Sequence, residues 1–156
     1  MKTREGVRPG AAWRHANIGR LLNNAVRRFE ARVLTLMSEK GHVQTRISHV
    51  NLTRNLDIDG TRLTELARRA CMSKQAMGEL VDQCAELGLV DRTSDPEDRR
   101  ARLVVFTPTG LEWLEAFRAA VDLAEAEMRA ELGAETTDAI ARGLTAYGAQ
   151  HDTLEA

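Results

Sequence analysis

The sequence predicts a mainly α-helical protein with one small β-hairpin. Apolar residues recur at three- and four-residue steps through most of the 156 residues, and Gly41, Gly88 and Gly133 end periodic segments. The β-branched stretch Arg102-Leu103-Val104-Val105-Phe106, which follows a polar segment containing Pro96, reads as one strand of a hairpin. The length suits one domain with helical extensions.

Residues 1–17 hold Gly6, Pro9 and Gly10 without a sustained period, so a mobile arm is expected there, ending in a short helix near Trp13. From Ile18 to Lys40, Leu21, Leu22, Ala25, Val26, Phe29, Val33, Leu36 and Met37 form one apolar stripe, the pattern of a long amphipathic helix. A second helix is expected from about Thr45 to Leu56, then a turn over Asp57 to Gly60. Thr61 is positioned to cap a short helix with Leu63, Leu66, Ala67 and Ala70 on one face. Ser73 is the next N-cap candidate, and Met77, Leu80, Val81, Cys84 and Leu87 follow at helical spacing. Two short helices with a brief connection form a helix-turn-helix pattern. Leu89-Val90-Asp91-Arg92 and Arg102 to Phe106 make the hairpin, with arginines at its tip. A helix of about 25 residues then begins at Thr107 with Pro108 in its first turn, or through a capping box of Thr109 and Glu112. A last helix is expected over about Glu135 to Tyr147.

Composition excludes several classes. With 43% hydrophobic and 29% charged residues, the chain can bury a core and stay soluble, unlike a disordered or fibrous protein. No apolar run approaches the roughly 18 residues of a membrane span. The first residues have no apolar stretch behind their basic start, so no secretory signal is read, and two cysteines without motif spacing suggest reduced thiols and a cytoplasmic location. The net charge of -1 conceals an asymmetry: residues 1–54 carry +8, residues 55–107 carry -2 and residues 108–156 carry -7.

The chain resembles the MarR family of bacterial transcription regulators, which are dimeric winged helix-turn-helix proteins. The resemblance runs over about residues 18–149 and is most specific from Leu63 to Gly110. Leu63-Thr64-Glu65-Leu66-Ala67 looks like the first helix of the family's helix-turn-helix. Ser73-Lys74-Gln75 looks like the start of its recognition helix, and Leu87-Gly88-Leu89-Val90 like the exit into the wing. Asp95-Pro96-Glu97-Asp98-Arg99-Arg100, with Thr107 seven residues after Arg100 and then Gly110, resembles the family's wing signature. The implied organisation is an arm over 1–17, dimerisation helices over 18–44 and 108–149, a winged DNA-binding domain over 45–107 and a tail over 150–156.

The residue chemistry agrees with that resemblance. With the apolar face turned inward, Ser73, Lys74, Gln75 and Gly78 occupy the first turns on the other side. There the free amides and positive helix end favour phosphate, and Gln75 can reach a base edge. Gly78 permits close approach of a backbone. At the tip, Arg99, Arg100 and Arg102 are the cations suited to a narrow minor groove. Arg100 is the expected groove-inserting residue, and the resemblance implies Asp98 as the carboxylate that orients it. The recognition helix carries Glu79, Asp82 and Glu86 against a single base, where family members often have arginine or lysine, so Arg62, Arg68 and Arg69 are further candidate contacts.

The resemblance also implies a homodimer, a repressor of transcription on a pseudo-palindrome with half-sites roughly 34 Å apart. Arg20, Arg27, Arg28 and Arg32 are expected near acids such as Glu115, Asp122, Glu125 and Glu131. Release by a small phenolic or aromatic ligand is implied, with Trp13, His42, Arg46, His49 and Trp113 as candidate pocket residues. Cysteine oxidation is the alternative switch, with Cys71 among the cations Arg68, Arg69 and Lys74, and Cys84 expected in the core. His15, His42, His49 and His151 make no ligand cluster, and no nucleophile motif or phosphate loop is present, so neither metal nor cofactor nor enzymatic activity is expected. The competing reading is a winged-helix module that binds protein instead of DNA.

Overall fold

The computed structural model describes residues 13–98 and 100–149. Most of the expected arm, Arg99 of the hairpin tip and the tail with His151 lie outside the described residues.

A short α1 (Trp13–Ala16) leads into α2 (Ile18–Glu39), whose first turn is capped by Asn17 accepting the Arg20 N–H at 3.0 Å. After α3 (Ile47–Thr53) come β1 (Thr61–Arg62), α4 (Leu63–Arg69) and α5 (Lys74–Glu86). Strands β2 (Val90–Ser94) and β3 (Arg102–Phe106) are followed by α6 (Pro108–Leu132) and α7 (Ala134–Gly148). The sheet has three antiparallel strands in the order β1-β3-β2, so the predicted hairpin gains a third strand.

That strand corrects the expectation for Thr61. It pairs across from Val104 instead of capping α4, and Arg62, paired with Leu103, occupies the N-cap position. The Thr61 hydroxyl closes the preceding turn by accepting the Asp57 N–H at 2.9 Å and donating to the Asp57 carboxylate at 3.3 Å. Gly60 at φ +97° makes that turn possible, because a Cβ there would lie 2.8 Å from Val105 Cγ1. The second predicted helix is also shorter than expected, since its last residues turn toward this strand.

Two caps fall where the sequence suggests them. Ser73 accepts the Ala76 N–H at 3.1 Å, and Thr107 accepts the Gly110 N–H at 2.9 Å, which decides between the two readings of the α6 start. The Thr107 hydroxyl also donates to the Gly88 carbonyl, tying the start of α6 to the end of the helix-turn-helix.

One apolar core joins Leu36 and Met37 of α2, Leu52 of α3, Leu66 of α4, Met77, Val81 and Cys84 of α5, Val104 of β3 and Trp113 of α6. By contrast, α7 buries none of its residues. The α2 and α6 helices are joined by Arg28 with Glu131 at 2.5 Å and Arg32 with Glu127 at 2.7 Å. Of the anticipated pairings of terminal charges, Arg28 with Glu131 therefore forms within one chain, Arg32 takes Glu127, and Glu115 pairs with Arg118. Among the described residues no helix is long and apolar enough to cross a membrane.

Candidate nucleic-acid interface

The recognition helix α5 is presented by its inner face. Met77, Leu80, Val81 and Cys84 are buried, which turns Lys74, Gln75, Glu79 and Asp82 outward. Ser73, Lys74 and Gln75 are exposed together at its amino end, and the Gln75 amide donates to Glu79 at 3.3 Å. A Cβ at Gly78 would stand 4.0 Å from Leu63 Cδ2 of α4, and the Gly78 carbonyl accepts from Arg92 at 3.3 Å.

Beside this helix, the hairpin tip is organised by two carboxylates. Asp95, only 5% exposed, accepts the Glu97 N–H at 2.8 Å and the Arg62 guanidinium at 2.7 and 2.6 Å. The Glu97 N–H, then Arg62, hold the Asp95 carboxyl below its ordinary range. Asp98 accepts the backbone N–H of Arg100 at 3.0 Å. The orienting contact to the Arg100 side chain is thus replaced by one to its backbone, which shapes the turn. Among the described residues no carboxylate pairs with the Arg100 guanidinium, and both Arg100 and Arg102 are exposed.

The three further candidate cations are all engaged. Arg62 serves Asp95, while Arg68 and Arg69 both grip Glu65, at 2.8 and 2.9 Å. Hydrogen bonds from Arg68 and then Arg69 hold the Glu65 carboxyl down at about 2. Arg69 also reaches the Asp57 carboxylate and the Asn55 carbonyl at 3.0 Å, so it clamps the turn between α3 and β1 onto α4. These side chains bind the winged domain together internally.

The proposed pocket residues separate. His42, His49 and Trp113 line a pocket of about 210 Å³, and Arg46 and His49 line a neighbouring one of about 340 Å³ that Gln83 and Glu86 of α5 and its C-cap Leu87 also border. Trp13, 65% exposed on α1, belongs to neither lining. Trp113 is a core residue stacked on Phe117 at 5.2 Å, and its indole N–H is taken by Thr45 at 3.0 Å. His49 is buried, and its Nδ1 accepts the Arg46 N–H at 3.2 Å, which assigns the proton of the neutral ring to Nε2. Burial, then the Arg46 charge, lower its pKa.

An apolar pocket of about 210 Å³ escaped the sequence reading. Phe29, Val33, Leu34, Ile47, Val50, Phe117 and Val121 line it between α2, α3 and α6, with Arg54 and Glu30 paired at 3.4 Å on its rim. No local signal marks it, because its walls come from three helices far apart in the chain. The two cysteines also differ: burial pushes the Cys84 thiol up to about 11, whereas Cys71 is exposed in the turn after α4 with φ +52°.

With α4 and α5 packed as a helix pair and a hairpin running from the end of α5, the chain is a winged helix-turn-helix protein. Residues 51–101 match the MarR family, while no curated protein matches the chain. The transcriptional repressor CouR bound to a 23-mer DNA duplex is similar in fold, at 22% identity over 88% of this chain and 96% of that one, with a TM-score of 0.69. CouR from Rhodococcus jostii RHA1 bound to p-coumaroyl-CoA gives 23% identity, 85% and 92% coverage and a TM-score of 0.67. A MarR-family protein of Mycobacterium tuberculosis in complex with p-aminosalicylic acid gives 25% identity, 85% and 99% coverage and a TM-score of 0.65. Its winged-domain sequence over residues 51–101 and its fold are thus similar to those of MarR-family regulators.

Proposed function

We propose that the protein is a DNA-binding transcriptional regulator, a homodimeric repressor acting on a pseudo-palindromic operator and released by a small aromatic or phenolic ligand. The distribution of paired and unpaired cations carries this reading. Arg62, Arg68, Arg69 and Arg92 are each held by an acid. Lys74, Arg100 and Arg102 are exposed, and among the described residues none of them makes an ion pair. They occupy the two elements that enter grooves in this fold, the first turn of the recognition helix and the hairpin tip. Repression and DNA binding draw further support from CouR, whose DNA complex shares the fold.

The homodimer reading rests on surface left over by folding. On α7, Leu144 and Tyr147 are 46% and 78% exposed, and on α2 Ile18 and Leu21 are 76% and 54% exposed. Apolar faces of this extent at both ends of a chain suit a second copy. For the ligand, the pocket of Phe29, Val33 and Phe117 offers ring surface, with Arg54 on the rim for an anionic group. Similar proteins bind ligands with aromatic rings, p-coumaroyl-CoA in CouR and p-aminosalicylic acid in the Mycobacterium tuberculosis protein. His42, Arg46, His49 and Trp113 remain the second location to test.

Selection of duplexes from random DNA by the purified protein, followed by fluorescence anisotropy across a salt series, tests the proposal. A specific duplex should emerge, its affinity should fall steeply with salt, and Arg100→Ala should weaken binding about tenfold. Absence of any specific duplex at low salt would instead support a protein-binding winged module.

A further inference from the structure

Asp82 looks misplaced on a DNA-facing helix, since a carboxylate repels phosphate. Its partner changes that reading. Arg92 of β2 places Nη1 at 2.6 Å from the Asp82 carboxylate and donates through Nη2 to the Gly78 carbonyl at 3.3 Å. Gly78 and Asp82 are four residues apart on α5, so the guanidinium lies along one turn of the helix flank. Arg92 in turn belongs to the first wing strand, where it pairs with Val104. One side chain thus links the exposed flank of the recognition helix to the wing.

Backbone hydrogen bonds from Leu89 to the Cys84 carbonyl and from Gly88 to the Ala85 carbonyl, both 2.9 Å, close the short connection between these two elements, and beyond it their packing is apolar at Val90. Val90 packs into the core with Val81 and Cys84. Apolar packing alone tolerates sliding more readily than a bridge with fixed donor directions. Helix and wing must hold one relative placement to enter neighbouring grooves together.

We infer that Arg92, held by Asp82 and the Gly78 carbonyl, is a positioning residue that sets the wing against the recognition helix, so that Asp82 favours specific DNA binding instead of opposing it. This rests on the DNA-binding function proposed above. Arg92 acts through geometry, so it governs the discrimination between specific and scrambled sequence. A cation that simply met phosphate would strengthen both.

The test uses the full chain, the duplex recovered by selection and a scrambled duplex of the same composition. Asp82→Asn and Arg92→Gln should each weaken binding to the selected duplex about fivefold, the size expected for loss of one exposed charge pair. Scrambled duplex should be bound as before, and the double variant should be no worse than either single one. Arg92→Lys, which keeps one bond to Asp82, should recover most of the loss. Thermal melts of each variant establish that the fold persists. Equal or tighter binding by Asp82→Asn would overturn the inference, because the acid would then be only a repulsive charge. A fall of about one in the salt slope for Arg92→Gln would also overturn it, by making Arg92 a phosphate contact. If the unaltered protein selects no duplex, the DNA-binding function fails first, and the inference with it.

Discussion

A Cβ added to Gly110 would lie 1.8 Å from the carbonyl oxygen of Leu89, well inside van der Waals contact. Residue 110, in the first turn of α6, and residue 89, at the end of the helix-turn-helix, therefore meet backbone to backbone. Thr107 reinforces the junction by capping Gly110 and reaching the Gly88 carbonyl. Gly110→Ala should cost about 3 kcal/mol or more, because the obstacle is a carbonyl fixed by its neighbours and not a movable side chain. Urea denaturation measures this. A loss below about 1 kcal/mol would show that the junction relaxes.

His49 should make stability sensitive to mild acid. Its folded pKa is below the ordinary 6.5, chiefly through burial and then through Arg46, so the unfolded chain binds the proton more tightly. The neutral-ring contribution is complete above that value and is lost as the pH falls from it toward the folded pKa. Chemical denaturation between neutral pH and mild acid should show falling stability. His49→Asn, which retains an acceptor for the Arg46 N–H without a titrating ring, should flatten that slope.

The Arg62 and Asp95 pair should govern order at the wing before any DNA is bound. Arg62→Ala and Asp95→Asn should both accelerate hydrogen exchange at the amides of Glu97 and Ala101, with little further change when combined. Because the Asp95 pKa is depressed below 3.8, its contribution is present above that value and disappears as the pH drops through the folded pKa. Normal wing exchange in Arg62→Ala, accompanied by lost DNA affinity, would assign Arg62 to the DNA and not to the fold.

Leu144→Glu on the exposed face of α7 tests the homodimer. If this face meets a second copy, dissociation should become easier by about thirtyfold or more, the scale of an interface hot spot. Sedimentation equilibrium reads the change, and far-UV circular dichroism should remain that of a folded chain. An unaltered sedimentation profile would place the dimer contact elsewhere.

Elements whose causes are local can be read along the chain. Ser73 and Thr107 declare their helices because a cap needs only the amide three residues ahead, and Met77, Val81 and Cys84 declare the inner face of α5 because helical period alone sets which residues align. The hairpin and its arginine-bearing tip were legible in the same way. What the charges do depends on how the elements pack. Thr61 and Arg62 become a strand because β3 pairs with them from some forty residues away, a reason that no local pattern contains. Arg62, Arg68 and Arg69, equal to Arg100 as charges in a sequence, are paired with Asp95 and Glu65, while Arg100 makes no ion pair among the described residues. Along the chain Arg92 reads only as a strand residue, since its contact with Asp82 joins two elements. An ion pair forms by distance in space, and the chain alone specifies only distance along itself.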